Sequence, residues 1–382
     1  MKKFLALLLI AMVLLQGLPF AQADDEVSIY HFLTEQPPEA TSPADAAEPT
    51  PEPTGEDGGE AVMLLPDGSV ELIISAVGDI TFGGDVRKRS SIFERELARH
   101  GGDRSFVMRN VRDILSADDI TIGNLETTLT TAPVYKTNNQ FVFSAPREYV
   151  DILLDGSIEA VTFENNHAMD HGADGHRDTI ETLEEAGIIW STAEHIGVID
   201  IKGIRVAHLA YQTFDRYPEL FDTVPAAVSA AKKAYDLVIV SFHWGKELDY
   251  YPNKNQQTMA KMTIDAGADL VLGHHSHRIN PIEEYKGKYI VYSLANFSFS
   301  GNNKPDDMSS FIFQIKYNIK EGEVMSSAFR IIPIRISSKT DYNDFTPTPH
   351  TEQRYIDSII NTLHKNGKYL ENPVATYPVD WE

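Results

Sequence analysis

The chain of 382 residues contains no cysteine. That excludes a disulfide framework, a thiolate metal site and a cysteine for lipid attachment. Basic residues are scarce: 33 Lys and Arg stand against 56 Asp and Glu, a formal charge of −23, which argues against nucleic acid as a partner. Beyond the first two dozen positions no apolar run reaches the roughly 18 residues that a membrane helix needs. No repeat recurs at solenoid periods.

The N-terminus is different in texture. "MKK", then "FLALLLIAMVLLQGL", then "AQA" at Ala21 to Ala23 read as a signal peptide over residues 1–23. The expectation is an extracytoplasmic protein, secreted or tethered to membrane or wall through its N-terminal segment. Residues 24–70 carry acidic side chains and prolines but no Lys or Arg, around the core "PPEATSPADAAEPTPEPTGEDGGE". Such a stretch buries too little apolar surface to offset its ordering entropy, so it reads as a disordered acidic linker.

From residue 71 short apolar runs alternate with helix-compatible stretches. "LIISAV" (72–77), "DITIGN" (119–124), "IEAVTF" (158–163), "IRVAHLAY" (204–211), "DLVIVSFHW" (236–244), "ADLVLG" (268–273) and "KYIVYSLA" (288–295) read as buried strands. Helices are expected over 106–115, 146–154, 174–186, 225–234 and 255–266. This alternation predicts an α/β layered domain over 71–335, closed by an antiparallel pair from "SSFIFQIKYNI" and "VMSSAFRIIPIRI". Residues 336–382 read as a C-terminal extension with one helix near 351–364.

Residues able to bind a metal fall at the C-terminal ends of these strands, where ligand sites form in α/β sheets. Asp79 follows the first strand; Asn124 and Glu126 follow the second; Asn165, Asn166 and His167 follow the third, with Asp170 and His171 behind them. His243 and Glu247 follow a fourth, and Asn296 a last one. "GHHSH" (273–277) stands out, because three of the 13 histidines fall within four positions. In an extended segment His275 and His277 share a face while His274 points away, so His274 is left outside the ligand set. Each piece alone has an ordinary explanation: an Asp after a strand usually caps a helix, and a His after a hydrophobic strand usually belongs to the core. Together they make a mixed N/O shell for a divalent ion such as Mn, Fe, Zn or Co.

In order, "AVGDITFGGDV", "GNLETTLT", "NNHAMDHGADG", "VSFHWGKELDYYPNKNQ", "DAGADLVLGHHSHRINPIE" and "YSLANFSF" resemble the CapA family of poly-γ-glutamate capsule biosynthesis proteins, over residues 72–335. That domain is in turn similar to the calcineurin-like metallophosphoesterases. The resemblance implies a four-layer α/β/β/α sandwich with the site at one edge. It also implies metal ligands at Asp79, Glu126 (the bridging position), Asn166, His243, His275 and His277, with His167 as the catalytic residue at the leaving group. Two positions depart from the phosphoesterase pattern: Thr81 stands where a second histidine ligand is usual, and "NLE" replaces a "GD" motif. One ion or two are both compatible with this.

The function implied is work on an anionic envelope polymer, in its synthesis, export or processing, with hydrolysis of a phosphoester or related bond if the protein is catalytic. Asn124, Arg87, Arg278 and Asn296 are the candidate substrate contacts, and membrane capsule-synthesis proteins are the candidate protein partners. A non-catalytic polymer-binding or assembly module and a secreted phosphodiesterase are the rival readings.

Overall fold

The computed structural model describes residues 64–88, 91–134, 140–213 and 217–381. The expected signal peptide and nearly all of the expected linker lie outside these. In chain order, β1 (Val70–Thr81) and β2 (Gly84–Asp85) precede helices α1 (Ile92–Arg99) and α2 (Arg112–Leu115). Next come β3 (Ile120–Leu125), β4 (Thr128–Leu129), β5 (Phe143–Ala145), α3 (Asp151–Asp155), β6 (Ala160–Thr162), α4 (Gly172–Glu185) and β7 (Ile189–Ser191). The second half begins with β8 (Gly197–Ile201), β9 (Ile204–Thr213), α5 (Leu220–Lys232), β10 (Leu237–Trp244), α6 (Lys254–Asp265) and β11 (Leu270–His274). It closes with β12 (Ile282–Tyr285), β13 (Lys288–Val291), β14 (Asn296–Phe299), β15 (Ser309–Lys320), β16 (Glu323–Arg335), β17 (Thr348–Pro349) and α7 (Gln353–Gly367).

Two large sheets result. One runs β17-β16-β15-β1-β3-β6-β7, with β14 also paired to β1; the other runs β12-β13-β11-β10-β9-β8. The strands β1, β3, β6 and β7 are mutually parallel, as are β9, β10, β11 and β13, whereas β15 and β16 form the expected antiparallel pair. Alternation along each strand builds the layers. Leu72, Ile74 and Ile122 pack in one core with Val206, Ile239 and Leu272 of the opposite sheet. On the other face of the first sheet, Val77 and Ile80 pack with Phe93, Phe106, Leu153 and Leu183 from the α1 to α4 region. Helices α5 and α6 cover β9, β10 and β11 through buried Val224, Val228, Met259 and Ile264. The order is helix, sheet, sheet, helix: the α/β/β/α sandwich.

Two boundaries differ from the sequence reading. Leu64 bridges to Val70, and Asp67 accepts a hydrogen bond from the Ser69 backbone, so residues 64–70 of the expected linker are structured. The segment expected as an extension is part of the core: Ile359 and Leu363 of α7, with Val374 and Tyr377, join the residues packed between the sheets. Burying each such side chain contributes about 1.5 to 3 kcal/mol, which an appended helix would not gain.

The N-terminal ends of the strands follow one rule. Asp119, Glu159, Asp236 and Asp269 each stand one residue before a strand, and each carboxylate accepts the backbone N–H of a neighbouring strand: Ile73 (2.8 Å), Thr121 (2.8 Å), Arg205 (2.8 Å) and Val238 (2.9 Å) respectively. Lys202 reaches Asp119 at 2.7 Å, and Lys232 and Lys288 reach Asp269 at 2.9 and 2.7 Å. Charge and hydrogen-bonding capacity at this end are taken up by structure.

Candidate metal centre

At the opposite, C-terminal ends of the same strands, both sheets bring side chains to one place. Asp79 lies on β1, Glu126 just past β3, Asn165 to His167 in the turn after β6, His243 on β10 and His274 at the end of β11. Close backbone approach makes this convergence feasible. A Cβ at Gly78 would fall 2.1 Å from the Ala295 carbonyl oxygen, and that carbonyl accepts the Asp79 N–H at 2.9 Å. A Cβ at Gly273 would fall 2.1 Å from the Tyr292 carbonyl oxygen and 2.7 Å from the Trp244 indole nitrogen. Only glycine fits at either position.

Asp79 and Glu126 are buried, and their environments differ. Asp79 Oδ1 accepts from Asn124 Nδ2 at 2.8 Å and lies 3.3 Å from His274 Nδ1; Oδ2 lies 3.0 Å from His277 Nδ1 but off the direction of a hydrogen bond. Glu126 Oε1 lies 3.7 Å from His243 Nε2 and 3.9 Å from His277 Nε2. Asp79 Oδ2 and both Glu126 carboxylate oxygens have no hydrogen-bond donor among the described residues. Burying a carboxylate in that condition costs several kcal/mol, and a cation is the natural relief.

Glu126 belongs to two sets of donors. With His243 and His275 it forms one, and with Asp79 and His277 another; within each set the ligand atoms lie within 4.8 Å of one another. The expected mixed N/O set is therefore assembled, with Glu126 common to both halves, and these groups could hold a metal ion. Asn166 joins the first half through its Oδ1, 2.6 Å from His243 Nε2.

The electrostatics agree. Burial pushes the Glu126 carboxyl well above its ordinary range, the Asp79 charge adding to the effect and the His277 imidazole opposing it. Burial works the same way on Asp79, but the adjacent His274 and His277 imidazoles override it and hold this carboxyl well below the usual range. Burial depresses His243, with neighbouring His275 contributing, and takes His275 down to about 3. Burial also opposes protonation of His277, yet the Glu126 charge and the adjacent Asp79 carboxylate raise it to about 9. Burial thus biases two imidazoles toward the neutral form that binds metals, while the carboxylates bias the third toward the charged form, in a set that could hold a metal ion.

His167 sits beside this cage. Its Nδ1 is 2.7 Å from Asp170 Oδ2, and the same oxygen accepts the Phe143 N–H at 2.8 Å. Asp170 is fully buried, so the imidazole is oriented by a carboxylate that is itself fixed. The i, i+3 spacing of His167 and Asp170 is a sequence signal from which this pair could be read.

The remaining candidates separate. Asn296 Oδ1 lies 2.9 Å from His277 Nδ1. Arg278 bonds the His277 carbonyl through Nη1 at 2.9 Å, and its guanidinium lies 5.7 Å from the centre of the Tyr250 ring. Arg87 contacts Asp85 at 3.0 Å and the Gln140 carbonyl at 2.6 Å. Asn124, expected on the substrate side, is fully buried: its amide is taken up by Asp79 and by Asn165 Nδ2 at 3.1 Å, which makes it a support for Asp79. Trp244 is core, its indole N–H bonded to the Tyr292 carbonyl at 2.9 Å. Thr81 is buried, with its hydroxyl 3.4 Å from the Glu126 carbonyl.

The expectation that His274 turns away is overturned. Strand β11 ends at His274, and His275 and His277 adopt φ of 88° and 53°, the left-handed region that side chains other than glycine seldom enter. Alternation applies only to extended chain. Through this turn all three imidazoles come inward: His275 packs against His243 with ring centres 4.5 Å apart, His277 lies between Asp79 and Glu126, and His274 faces Asp79.

The profile of a family described as "Bacterial capsule synthesis protein PGA_cap" matches residues 73–300. The "PGA biosynthesis protein CapA" of Bacillus subtilis (strain 168) is 30% identical over 338 residues, which cover 81% of this chain and 83% of that one. The "Capsule biosynthesis protein CapA" of Bacillus anthracis is 31% identical over 60% of each chain. A "probable polyglutamine synthesis accessory protein" of Mycobacterium tuberculosis is 30% identical over 47% of this chain and 56% of its own length.

Proposed function

The chain belongs to the bacterial capsule synthesis protein family, and from that premise we propose that it is an extracytoplasmic, metal-dependent hydrolase acting on an anionic envelope polymer of the poly-γ-glutamate type. The observation that carries this reading is Glu126: buried, without a donor on either oxygen, and shared by two sets of ligand atoms. One or two divalent ions of the Mn, Fe, Zn or Co class held there would supply charge neutralisation and water activation at the bond to be cut.

The chain's own residues do the rest. Asp79, Glu126, Asn166, His243, His275 and His277 would hold the ions. His167, held by Asp170, would give or take a proton at the leaving group, and Arg278, next to His277, would offer a cation to an anionic substrate. The leader in residues 1–23 supports export, with the acidic segment as tether, and membrane capsule-synthesis proteins would be its partners. The negative overall charge supports none for nucleic acid.

A second reading, a non-catalytic polymer-binding or assembly module, draws on Thr81, whose hydroxyl offers no imidazole to the centre. The name of the mycobacterial relative, an accessory protein, is in keeping with it. Metal analysis of protein purified without chelator, then incubation with Mn and either a phosphodiester or poly-γ-glutamate, separates the two. Bound transition metal with polymer shortening or phosphodiester turnover, lost by about 100-fold or more in His167→Ala, is the expected result. Bound metal with no turnover on any substrate leaves the assembly reading, and a metal-free protein ends the metalloenzyme reading.

A further inference from the structure

His274 is a buried imidazole without an assigned task. Its side chain is 1% exposed, and neither ring nitrogen has a hydrogen-bond partner among the described residues. His208, equally buried on β9, shows how this fold treats a histidine that only fills the core: Ser191 Oγ stands 2.9 Å from Nδ1 and Ser241 Oγ 2.8 Å from Nε2. No such hydroxyls serve His274. What lies near it is Asp79 Oδ1, 3.3 Å from Nδ1.

The two oxygens of Asp79 are used unequally. Oδ1 accepts from Asn124 and faces His274, whereas Oδ2 has no donor among the described residues and lies 3.0 Å from His277 Nδ1. His274 itself is in neither set of clustered ligand atoms. We propose that His274 is a positioning residue: with Asn124 it holds Asp79 by Oδ1, so that Oδ2 is presented to the ion. Partners of this kind, one bond away from the metal, set the orientation of a ligand and so its affinity. The proposal rests on the metal reading above.

The test uses the full chain, stripped with chelator and reloaded with Mn or Zn alone, with affinity read by competition against an indicator chelator and stoichiometry by metal analysis. His274→Leu removes both nitrogens, His274→Asn restores an N–H near Nδ1, and His274→Gln places one near Nε2. The expected result is affinity weakened about 10- to 100-fold in His274→Leu, with the number of bound ions unchanged, and affinity within about threefold of wild type in His274→Asn. Melting of the chelated variants monitors folding; if His274→Leu does not fold, His274→Asn should still bind at least about fivefold more tightly than His274→Gln. Equal affinity in wild type and His274→Leu, or no advantage of Asn over Gln, overturns the proposal. So does loss of an ion from the stoichiometry of His274→Leu, which would make His274 a ligand. A wild-type chain that binds no ion overturns the metal reading and this proposal with it; one that binds normally while the variants behave alike overturns only the proposal.

Discussion

The two ends of the same strands carry similar chemistry and use it in opposite ways. At the N-terminal end Asp119, Glu159, Asp236 and Asp269 each accept a backbone N–H from a neighbouring strand, and lysines sit on two of them. At the C-terminal end Asp79 and Glu126 are more deeply buried yet leave three oxygens without donors among the described residues, and His274 leaves two nitrogens so. A carboxylate whose capacity is filled by backbone and lysine is part of the scaffold. One held out of water with its capacity unfilled is waiting for something that the chain does not supply.

Substitutions at the two ends should therefore separate stability from ion binding. The largest effect is expected for Asp269→Ala, which strips an acceptor from the Val238 N–H and a partner from two lysines: unfolding free energy by urea titration should fall by about 3 kcal/mol, with metal affinity unchanged. A loss below about 1 kcal/mol would erase the contrast from the scaffold side. Glu126→Gln should do the reverse. Metal affinity should drop by about two powers of ten, while the chelated protein melts no lower than wild type, because a buried carboxyl whose ionisation burial disfavours has become a neutral amide. A chelated variant that melts well below wild type would show Glu126 to be structural.

The smallest effect sharpens the comparison by pH. Asp118, beside the scaffold carboxylates, is raised to about 7 by burial, with Glu159 and Asp119 adding to the rise and bonds to Ser75 and Thr121 opposing it. Between its unfolded value near 3.8 and its folded value near 7, the native chain keeps a proton that the unfolded chain has released, so stability is full below the window and falls as pH rises through it. After solvent screening the drop is on the order of 2 kcal/mol or less. Asp118→Asn should flatten that slope and leave the variant more stable than wild type at pH 8, measured by urea titration at pH 4, 6 and 8. A slope unchanged in the variant would assign the pH dependence elsewhere.

Much of this was legible in the chain itself. Strands such as β10 and β11 are buried along their whole length, so their apolar runs stand out, and the polar residues that follow them mark the site. Less legible were elements whose signal is local. Helix α1 is a short amphipathic piece started by the Ser91 side chain, and the stretch expected as one helix over 106–115 is a 3-10 turn followed by the single turn of α2. His274 was misplaced because side-chain direction was inferred from extended geometry, whereas the direction is set by left-handed backbone at His275 and His277, which nothing in "GHHSH" announces. Asn124 was misread because whether an amide faces substrate or a carboxylate depends on which strand lies next door. The β1–β3 pairing sets Asn124 opposite Asp79.

The pairing of Asp79 with Asn296 across β1 and β14, and the approach of His277 to the same carboxylate, have a consequence in time. A growing chain presents Asp79 early and His277 late, so no translation product that stops before His277 contains both halves of the cage. An ion held by the whole set would therefore be captured only after His277 has joined the fold. A shell of imidazole and carboxylate ranks divalent metals without excluding most of them, so the ion that enters is decided by supply where folding finishes. Its identity would be a record of the surroundings in which the chain matured.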